Sequence, residues 1–537
     1  MKKLLCNLAM LLTAVSMAAQ GPQVRTQAGW VEGVDESGVK VFLGVPYAAP
    51  PVGDLRWRAP QPLQPWDGVR PTKAFGNDPM QLPIFGDMCF RGPSVSEDCL
   101  YLNIWTPAKT MDERLPVFIY FNGGGLMAGS GSEPRYDGMS YARNGIVALT
   151  VNYREGIFGF MAHPELSAET DYKGSGNYGF MDQAAAIRWV HDNIAAFGGD
   201  PDHITIMGES AGSHSVSVQM ASPLARDCIA QAMGSSGAIL ATPCQTLAEA
   251  EAEGLAAMER AGCKSLAEMR ALSAEEVQQR IPLTNMPRGN LDNYVLPKQP
   301  VEIFRSGEQA QVPCLIGNNS AEMPVIILSG YTSVPTMDGL KAGIKTWLKT
   351  DSDEVVNEVL GLYGISSEAD MGTLGGYQLG GDCFIVYGTW RWTDLQQQTS
   401  SKPVYRYRYC KVRPDLVDQS RVSALAGGTV EKTDDTPATP AMPGAVHSAD
   451  IEYQMGNLHN NMMYAWTADD FAVSEIFQSF FMNFIKTGNP NGLGLPQWDP
   501  INGEDVPPVM LIDVKSGQER DAALQARYKY LDKYLAF

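Results

Sequence analysis

The sequence predicts an α/β fold in which a mostly parallel sheet is flanked by helices. Short apolar, β-branched runs alternate along the chain with segments of helical periodicity. One such run leads through Gly208-Glu-Ser-Ala-Gly212 into a helical segment, which is the sequence form of a sharp strand-to-helix turn. The chain has 537 residues, enough for one large domain with loop and helical insertions or for two or three smaller domains. No clear linker separates domains.

The composition indicates an acidic globular protein. Hydrophobic residues make up 44% of the chain and charged residues 19%, with a formal net charge of −19. This charge repels nucleic acids and anionic membrane surfaces, so neither is expected as a partner, and its simplest role is solubility. No C-x-x-C, H-E-x-x-H or other metal-ligand spacing occurs. The sequence therefore predicts no metal site and no cofactor.

Residues 1–19 have the pattern of a secretory signal peptide. A basic start at Lys2 and Lys3 precedes an apolar run from Leu4 to Val15, and small residues follow at 16–19. The apolar run is too short to span a bilayer, and no later stretch is long enough. We therefore expect residues 20–537 to form a single exported domain, periplasmic or secreted from a bacterium.

The cysteines leave disulfide pairing open. Eight follow the predicted signal peptide: Cys89, Cys99, Cys228, Cys244, Cys263, Cys314, Cys383 and Cys410. Export permits their oxidation. Eight cysteines allow 105 complete pairings, and the spacing does not choose among them.

The predicted elements alternate in the order expected for a parallel sheet. Prolines are dense between Phe42 and Trp57, which predicts loops or edge strands there. Residues 423–445 are predicted to form a long loop that leads into Val446 and His447. Strands are predicted within 101–107, 115–121, 146–153, 204–207, 229–240 and 314–317, and helices over 181–196, 211–220, 246–271, 346–362 and 474–487.

Residues Gly174–Gly179 match the dinucleotide-binding pattern G-x-G-x-x-G. The preceding residues 165–173 are polar and loop-like, whereas that motif requires a strand before it. We interpret these residues as a turn that starts the following helix, and we expect no bound dinucleotide.

Ser210 is the strongest candidate nucleophile. A serine at the turn between a buried strand and a helix is lifted above the end of the sheet. Gly208 and Gly212 leave room for the close approach of strand and helix. The alternative is a surface serine in a glycine-rich loop, which the pattern alone does not exclude. The apolar strand before it and the helix after it favour the nucleophile.

A serine nucleophile needs a base, an acid that orients the base, and donors for the oxyanion. In the α/β-hydrolase arrangement the acid and then the histidine follow the serine. Only His447 and His459 follow Ser210 clearly, and His447 lies directly after the long loop, although a lone histidine is more often structural. Glu322 comes just after the predicted strand at 314–317, where such an acid must lie. A solvated surface glutamate is the alternative.

Longer motifs resemble the type-B carboxylesterase family, which includes the cholinesterases and bile-salt lipases. Together they extend over nearly the whole mature chain. In order they are Phe42–Gly53, Glu97–Asn103, Gly176–Gln183, Phe197–Pro201 with Gly208–Gly212, and Gly488–Asn491 with Trp498. The resemblance implies an α/β-hydrolase fold and hydrolysis of small-molecule esters.

The resemblance also implies roles for single residues. Ser210 aligns with the nucleophile, and His447, within Gly444–Ile451, aligns with the base. Glu322, within Gly317–Met323, aligns with the acid. The oxyanion donors implied by the family are the backbone N–H groups of Gly124, Gly125 and Ala211.

Four further residues take implied supporting roles. Glu209 is expected on the floor of the site near His447, and Ser236 is expected to hydrogen-bond the triad. Glu97 and Arg154 are expected to form a buried ion pair with no catalytic role.

The chain departs from the family pattern at three places. Asn122 stands where a histidine or tyrosine is usual before the glycines, and Leu126 replaces a phenylalanine, which leaves the shape of the pocket open. Glu322 is flanked by Ala321 and Met323 instead of the usual aspartate and glycine. The usual first disulfide partner of Cys99 is absent near Pro79, so the family implies Cys89–Cys99 as the nearest substitute.

These observations predict a serine carboxylesterase. Its acyl-enzyme should form on Ser210 with a burst of alcohol release, and activity should be lost below about pH 6 as His447 protonates. A lipase for long-chain esters or an esterase for acyl groups on polysaccharide would share the fold, and the sequence does not separate them. A non-catalytic adhesion or binding module is a further alternative.

Overall fold

A computed structural model describes residues 21–86, 88–282, 286–328, 336–424, 428–433 and 442–537. The predicted signal peptide lies outside these residues, as does part of the predicted loop at 423–445. The described part of that loop includes a short hairpin that pairs Arg421–Ser423 with Thr429–Glu431.

A large twisted sheet is the centre of the molecule. Within the described residues it has eleven strands: β1 (Val34–Glu36), β2 (Val39–Pro46), β3 (Tyr101–Thr106), β4 (Leu115–Phe121), β5 (Val147–Val151), β6 (Gly199–Glu209), β7 (Gln231–Ser235), β8 (Cys314–Asn319), β9 (Val404–Tyr409), β10 (Val509–Ile512) and β11 (Gly517–Glu519). Their spatial order is β11-β10-β9-β8-β7-β6-β4-β5-β3-β2-β1. The strands from β5 through β10 in this order pair in parallel, and antiparallel strands close both edges.

Helices cover the sheet. They are Met139–Arg143, Gly156–Phe160, Pro164–Ala168, Tyr178–Asn193, Ala211–Ala221, Leu247–Arg260, Leu266–Ala271, Ala274–Arg280, Pro300–Arg305, Met337–Leu348, Asp353–Leu362, Leu374–Gly381, Tyr387–Thr399, Ile451–Met455, Ala468–Thr487 and Ala522–Leu535. Smaller sheets join Gln23–Arg25, Trp30–Glu32 and Val69–Pro71, and Asp78–Pro79 with Val95–Ser96. None of the helices that the structure describes combines the length and apolar character needed to cross a bilayer.

Alternation along β4 shows how the core is divided. Val117, Ile119 and Phe121 belong to one buried cluster, which includes residues of the helices Tyr178–Asn193 and Ala211–Ala221. Phe118 and Tyr120 belong to a second cluster, which includes four phenylalanines of the helix Ala468–Thr487. Successive side chains of a strand point to opposite faces, so a strand buried on both faces reads as a continuous apolar run. The predicted mostly parallel sheet between helices is confirmed.

Two predicted helices are each interrupted. The predicted helix over 246–271 stops at Arg260, and a second helix begins at Leu266 behind the capping side chain of Ser265. The predicted helix over 346–362 is two helices, because Lys349 adopts the left-handed conformation with φ 52° and Ser352 caps the next helix. Both breaks use local capping that apolar periodicity does not reveal.

The sequence predicts a loop over 165–173, but this segment begins within a helix. Pro164–Ala168 is helical, and the ring of His163 caps it by accepting a hydrogen bond from Glu165 N at 3.2 Å. Residues 174–177 form the turn before the helix Tyr178–Asn193, as expected. No strand precedes the G-x-G-x-x-G pattern in this described part of the chain.

The predicted ion pair between Glu97 and Arg154 is wrong. Arg154 instead makes a bidentate contact with Asp182, with both N···O distances at 2.7 Å and both side chains buried. Glu97 takes Arg56 as its bidentate partner at 2.5 and 2.6 Å. A buried guanidinium needs a paired carboxylate. Asp182, on the helix Tyr178–Asn193, supplies that carboxylate to Arg154, and Glu97 pairs with Arg56 instead.

The predicted Cys89–Cys99 disulfide is also not formed. Cys99 is a free thiol, 1% exposed, just before β3. Burial is the largest influence on its pKa and raises it well above the ordinary value, and the nearby Asp182 raises it further while Arg154 lowers it. Cys89 lies at the exposed surface. One of the two cysteines is therefore exposed and the other is buried.

Candidate active site

Ser210 lies at the turn between β6 and the helix Ala211–Ala221. Its backbone has φ 56° and ψ −123°, a conformation that L-residues rarely adopt. A Cβ at Gly208 would lie 2.2 Å from the carbonyl carbon of Gly212, and one at Gly212 would lie 2.1 Å from Phe121 O. Strand and helix approach too closely here for any side chain, which is the reason that the sequence pattern has glycines at both positions.

Ser210, His447 and Glu322 are brought together as one hydrogen-bonded chain. Ser210 Oγ lies 2.9 Å from His447 Nε2, and His447 Nδ1 lies 2.7 Å from Glu322 Oε2. The second oxygen of Glu322 accepts hydrogen bonds from Ser236 Oγ at 2.5 Å and from Asn319 N at 2.6 Å. Both carboxylate oxygens are therefore engaged, so the orientation of Glu322 is fixed.

Backbone and ring contacts hold His447 in place. Its N–H donates to the carbonyl oxygen of Glu322 at 3.1 Å. The ring of Phe384 packs edge-on against the imidazole with 5.0 Å between centroids. Phe384 lies in the single π-helical turn Asp382–Val386, the kind of irregularity that re-aims a side chain within a helix.

The glycine segment after β4 lies against the same pocket. Gly124 and Gly125 line it together with Ser210 and His447, and both have positive φ, 110° and 67°. A Cβ at Gly124 would lie 1.7 Å from Ala128 O. Ala211 is the first residue of its helix, where a backbone N–H has no partner within the helix. Within the described residues, these three amides donate no hydrogen bond.

A family model described as "Carboxylesterase family" matches residues 20–531. This chain belongs to the carboxylesterase family. The fumonisin B1 esterase of Sphingopyxis macrogoltabida is 43% identical over 326 residues, which is 58% of this chain and 58% of that enzyme. The para-nitrobenzyl esterase of Bacillus subtilis (strain 168) is 30% identical over 523 residues, 94% of this chain and 98% of that enzyme.

Solved structures agree with this assignment. A carboxylesterase of Geobacillus stearothermophilus superposes with a TM-score of 0.78 at 30% identity, covering 95% of this chain and 99% of that one. The predicted α/β-hydrolase fold is thus confirmed, and the family identifies the chain as a carboxylic ester hydrolase.

The residues that distinguish this carboxylesterase at the glycine segment are buried behind the pocket. Asn122 Nδ2 donates to Gly123 O at 3.0 Å and to Glu155 Oε1 at 3.2 Å, and Tyr153 Oη donates to Asn122 O at 2.8 Å. Leu126 is 2% exposed and packs in the core. Neither lines the pocket, so both act by fixing the glycine backbone.

The pocket of this carboxylesterase above Ser210 is narrow and mostly apolar. Its free volume is about 30 Å³, room for about two water molecules. Beyond the glycines and the residues already described, it is lined by Phe85, Met88, Tyr136, Met286 and Phe384.

Glu209 lies beside the histidine, as expected. Its Oε1 is 3.5 Å from His447 Nε2 and accepts a hydrogen bond from Ser448 Oγ at 3.0 Å. Burial raises the pKa of Glu209 to about 7, although His447 opposes this shift. Burial lowers the pKa of His447, but Glu209 and Glu322 outweigh it and raise that pKa to about 9.

These pKa shifts change the expected pH dependence of kcat/KM. A general base must be neutral to accept a proton, so raising the pKa of His447 moves the acid limb of kcat/KM to higher pH. The limb should therefore lie above the ordinary histidine value of 6.5 rather than near pH 6.

Removing the charge of Glu209 should reverse this shift. In Glu209→Gln the imidazolium loses a neighbouring anion, so the acid limb of kcat/KM should move to lower pH by about one unit. A pH profile with p-nitrophenyl acetate measures it. Glu354→Gln, which removes an exposed glutamate on the helix Asp353–Leu362, is the matched control. An acid limb at the same pH in all three proteins would contradict the role of Glu209.

Sequence reasoning missed a second layer of polar residues behind His447. Asp450 is fully buried and accepts hydrogen bonds from Ser235 Oγ and, at 3.1 Å, from Asn319 Nδ2. Asn319 Nδ2 also donates to Val446 O at 2.8 Å, beside the histidine. The sequence did contain a signal for Asp450, because this residue falls within the Gly444–Ile451 segment that selected His447. Its hydrogen-bond partners, however, become known only from the fold.

Proposed function

We propose that this carboxylesterase hydrolyses esters through an acyl-enzyme on Ser210, with His447 as the base and Glu322 as the acid. The observation that carries the proposal is the buried chain from Ser210 Oγ to His447 Nε2 at 2.9 Å and from His447 Nδ1 to Glu322 Oε2 at 2.7 Å. A nucleophile, a base and an orienting carboxylate within hydrogen-bond distance are the parts that acyl transfer requires.

Acylation begins with attack of Ser210 Oγ on the ester carbonyl carbon. His447 Nε2 takes the hydroxyl proton, and Glu322 stabilises the imidazolium that forms. The N–H groups of Gly124, Gly125 and Ala211 stabilise the negative charge on the carbonyl oxygen by donating hydrogen bonds to it. These groups have no competing acceptor among the described residues. Collapse of the intermediate expels the alcohol, which receives the proton from His447.

Deacylation repeats these roles with water. His447 Nε2 removes a proton from a water molecule that attacks the acyl carbonyl, and the same three amides hold the oxyanion. Breakdown of the second intermediate returns the proton to Ser210 Oγ and releases the carboxylic acid. Glu209, 3.5 Å from His447 Nε2, favours the charged imidazole in both steps.

The narrow pocket supports a preference for short acyl groups. Phe85, Met88 and Phe384 surround a cavity of only about 30 Å³, so a short acyl group displaces these side chains less than an extended chain does. A long-chain lipase would need these side chains to move, and this observation favours a small-acyl esterase over that alternative.

We also propose that the enzyme acts outside the cytoplasm as one catalytic domain over residues 20–537. The basic start, apolar run and small residues at 1–19 support a cleaved signal peptide. Mass measurement of the secreted protein tests this, with a new N-terminus at residue 20 as the expected result.

Covalent labelling tests the catalytic proposal directly. A fluorophosphonate probe should modify Ser210, as identified by peptide mass spectrometry, and should abolish hydrolysis of p-nitrophenyl acetate. Across p-nitrophenyl esters from acetyl to palmitoyl, kcat/KM should be highest for the short acyl groups. Labelling elsewhere with Ser210 unmodified would overturn the assignment, and failure to label at all would favour a non-catalytic module.

A further inference from the structure

A second cavity lies beside the catalytic pocket. Its free volume is about 320 Å³, and its walls come from the helices Gly156–Phe160 and Leu247–Arg260 and from residues 281–282 and 286–290. Gly254 allows the helix Leu247–Arg260 to approach the opposite wall, since a Cβ at this position would lie 1.7 Å from Ala162 O. No step of the proposed catalytic mechanism uses this groove.

Met286 is the wall that the groove shares with the catalytic pocket. It lines both cavities. Its Sδ lies 3.0 Å from the position that a Cβ of Gly125 would take, so it rests on the segment proposed to bind the oxyanion. The helix Gly156–Phe160, which forms one wall of the groove, is also bonded to this segment, because Gly156 N donates a hydrogen bond to Leu126 O at 2.7 Å. Met286 is 43% exposed, and its unbranched side chain can change rotamer at low cost.

The volumes show where the remainder of a substrate must go. The catalytic pocket has a cavity volume of only about 30 Å³, so part of a larger ester must extend beyond it. The groove offers about 320 Å³ directly beyond Met286. Met286 is the one described residue that lines both cavities, so a connection between them depends on its side chain.

The groove carries cationic groups on an otherwise acidic protein. Arg260 and Arg288 both line it and both are exposed. Within the described residues, neither guanidinium takes part in an ion pair or a hydrogen bond. Among the described residues of the lining, Glu253 carries the one carboxylate, and it accepts a hydrogen bond from Gln245 Nε2 at 2.6 Å. The whole chain has a net charge of −19, so the two arginines are opposite in sign to the net charge of the protein.

We propose that this groove binds a carboxylate group carried by the ester substrate, with Arg260 and Arg288 as its partners and Met286 as the movable wall. The proposal rests on the catalytic function proposed above and specifies its substrate class: esters with an anionic group several bonds from the scissile carbonyl. A guanidinium presents paired donors that match a carboxylate, which suits arginine for this contact.

Matched substrates test the proposal on both sides of the ester. The acyl-side pair is mono-p-nitrophenyl adipate and its neutral relative p-nitrophenyl hexanoate. The alcohol-side pair is 4-acetoxybenzoate and its methyl ester. For each pair the measured quantity is the ratio of kcat/KM for the anionic to the neutral substrate, so a general loss of folded enzyme cancels.

The double variant Arg260→Gln/Arg288→Gln should lower this ratio about tenfold or more in the pair whose carboxylate enters the groove. Arg188→Gln removes an exposed arginine from a different cavity and should leave the ratio unchanged. In the native enzyme the ratio should also fall as NaCl is raised, because salt screens exposed charges. The pair that responds identifies the acyl or the alcohol side as the occupant.

Two failures are distinguishable. If the neutral esters are hydrolysed and both ratios are the same in the native enzyme, the double variant and Arg188→Gln, the groove proposal is overturned while the catalytic proposal stands. If the native enzyme hydrolyses no neutral ester and Ser210 takes no phosphonate label, the catalytic proposal itself fails. The salt titration needs no variant, so it decides the groove proposal even where a variant folds poorly.

Discussion

Replacing Ser210 by alanine is expected to lower kcat for p-nitrophenyl acetate by about 10⁴- to 10⁶-fold. The substitution removes the attacking oxygen and leaves the proposed oxyanion donors and the carboxylate behind His447 intact. The residual rate should reflect those donors alone. The fold should be little changed, because alanine keeps the Cβ and meets the same φ of 56° that the serine already tolerates.

The control for Ser210→Ala is Ser213→Ala in the same helix. Ser213 is also fully buried, and its hydroxyl donates to Gly237 O at 2.6 Å, away from the catalytic pocket. Its loss should cost about 1 kcal/mol of stability and should leave hydrolysis largely intact. Thermal denaturation and steady-state kinetics of both variants separate the two effects. Retention of more than a tenth of the native kcat in Ser210→Ala would exclude this serine as the nucleophile.

The features that sequence reasoning predicted well are those in which local chemistry dictates local geometry. A strand, a turn too tight for side chains and a helix require Gly208 and Gly212, so the position of Ser210 follows from a short stretch. The resemblance to the family then selected Glu322 and His447, and in the structure His447 Nδ1 lies 2.7 Å from Glu322 Oε2. The continuous apolar run at 115–121 likewise predicted a strand, and the structure buries that strand on both faces.

The features that it predicted wrongly depend on which of several charged groups the fold brings together. Arg154 had Glu97 and Asp182 as possible partners, and nothing in the spacing favours the pairing with Asp182 that burial enforces.

Other features have no local signal in the sequence. The helix ends at Lys349, which adopts the left-handed conformation although it is not a glycine. The groove beyond Met286 is built from segments more than a hundred residues apart, so no single stretch announces it.

Replacing Glu322 by glutamine is expected to lower kcat at neutral pH by about 10⁴-fold. One carboxylate oxygen accepts from Asn319 N at 2.6 Å and from Ser236 Oγ, and the other faces His447 Nδ1. A backbone N–H can only donate, so the glutamine oxygen must stay toward Asn319 and the amide NH₂ must turn toward His447. The imidazole then has to accept at Nδ1, which places its proton on Nε2, where it can no longer take the proton of Ser210.

The matched variant is Glu322→Asp, which keeps the charge and the acceptor chemistry but shortens the reach to His447. The loss of kcat in this variant should be smaller, about 10- to 100-fold, because the hydrogen bond to His447 is displaced while the tautomer of the ring is preserved. Nitrogen-15 NMR of labelled histidine, recorded above the pKa of His447 so that the ring is neutral, should report the proton on Nε2 in Glu322→Gln and on Nδ1 in Glu322→Asp. A purely structural glutamate would instead give similar losses in the two variants and no change of tautomer. The tautomer is therefore read on protein shown by thermal denaturation to be folded, because a solvated histidine in an unfolded chain also carries its proton mainly on Nε2.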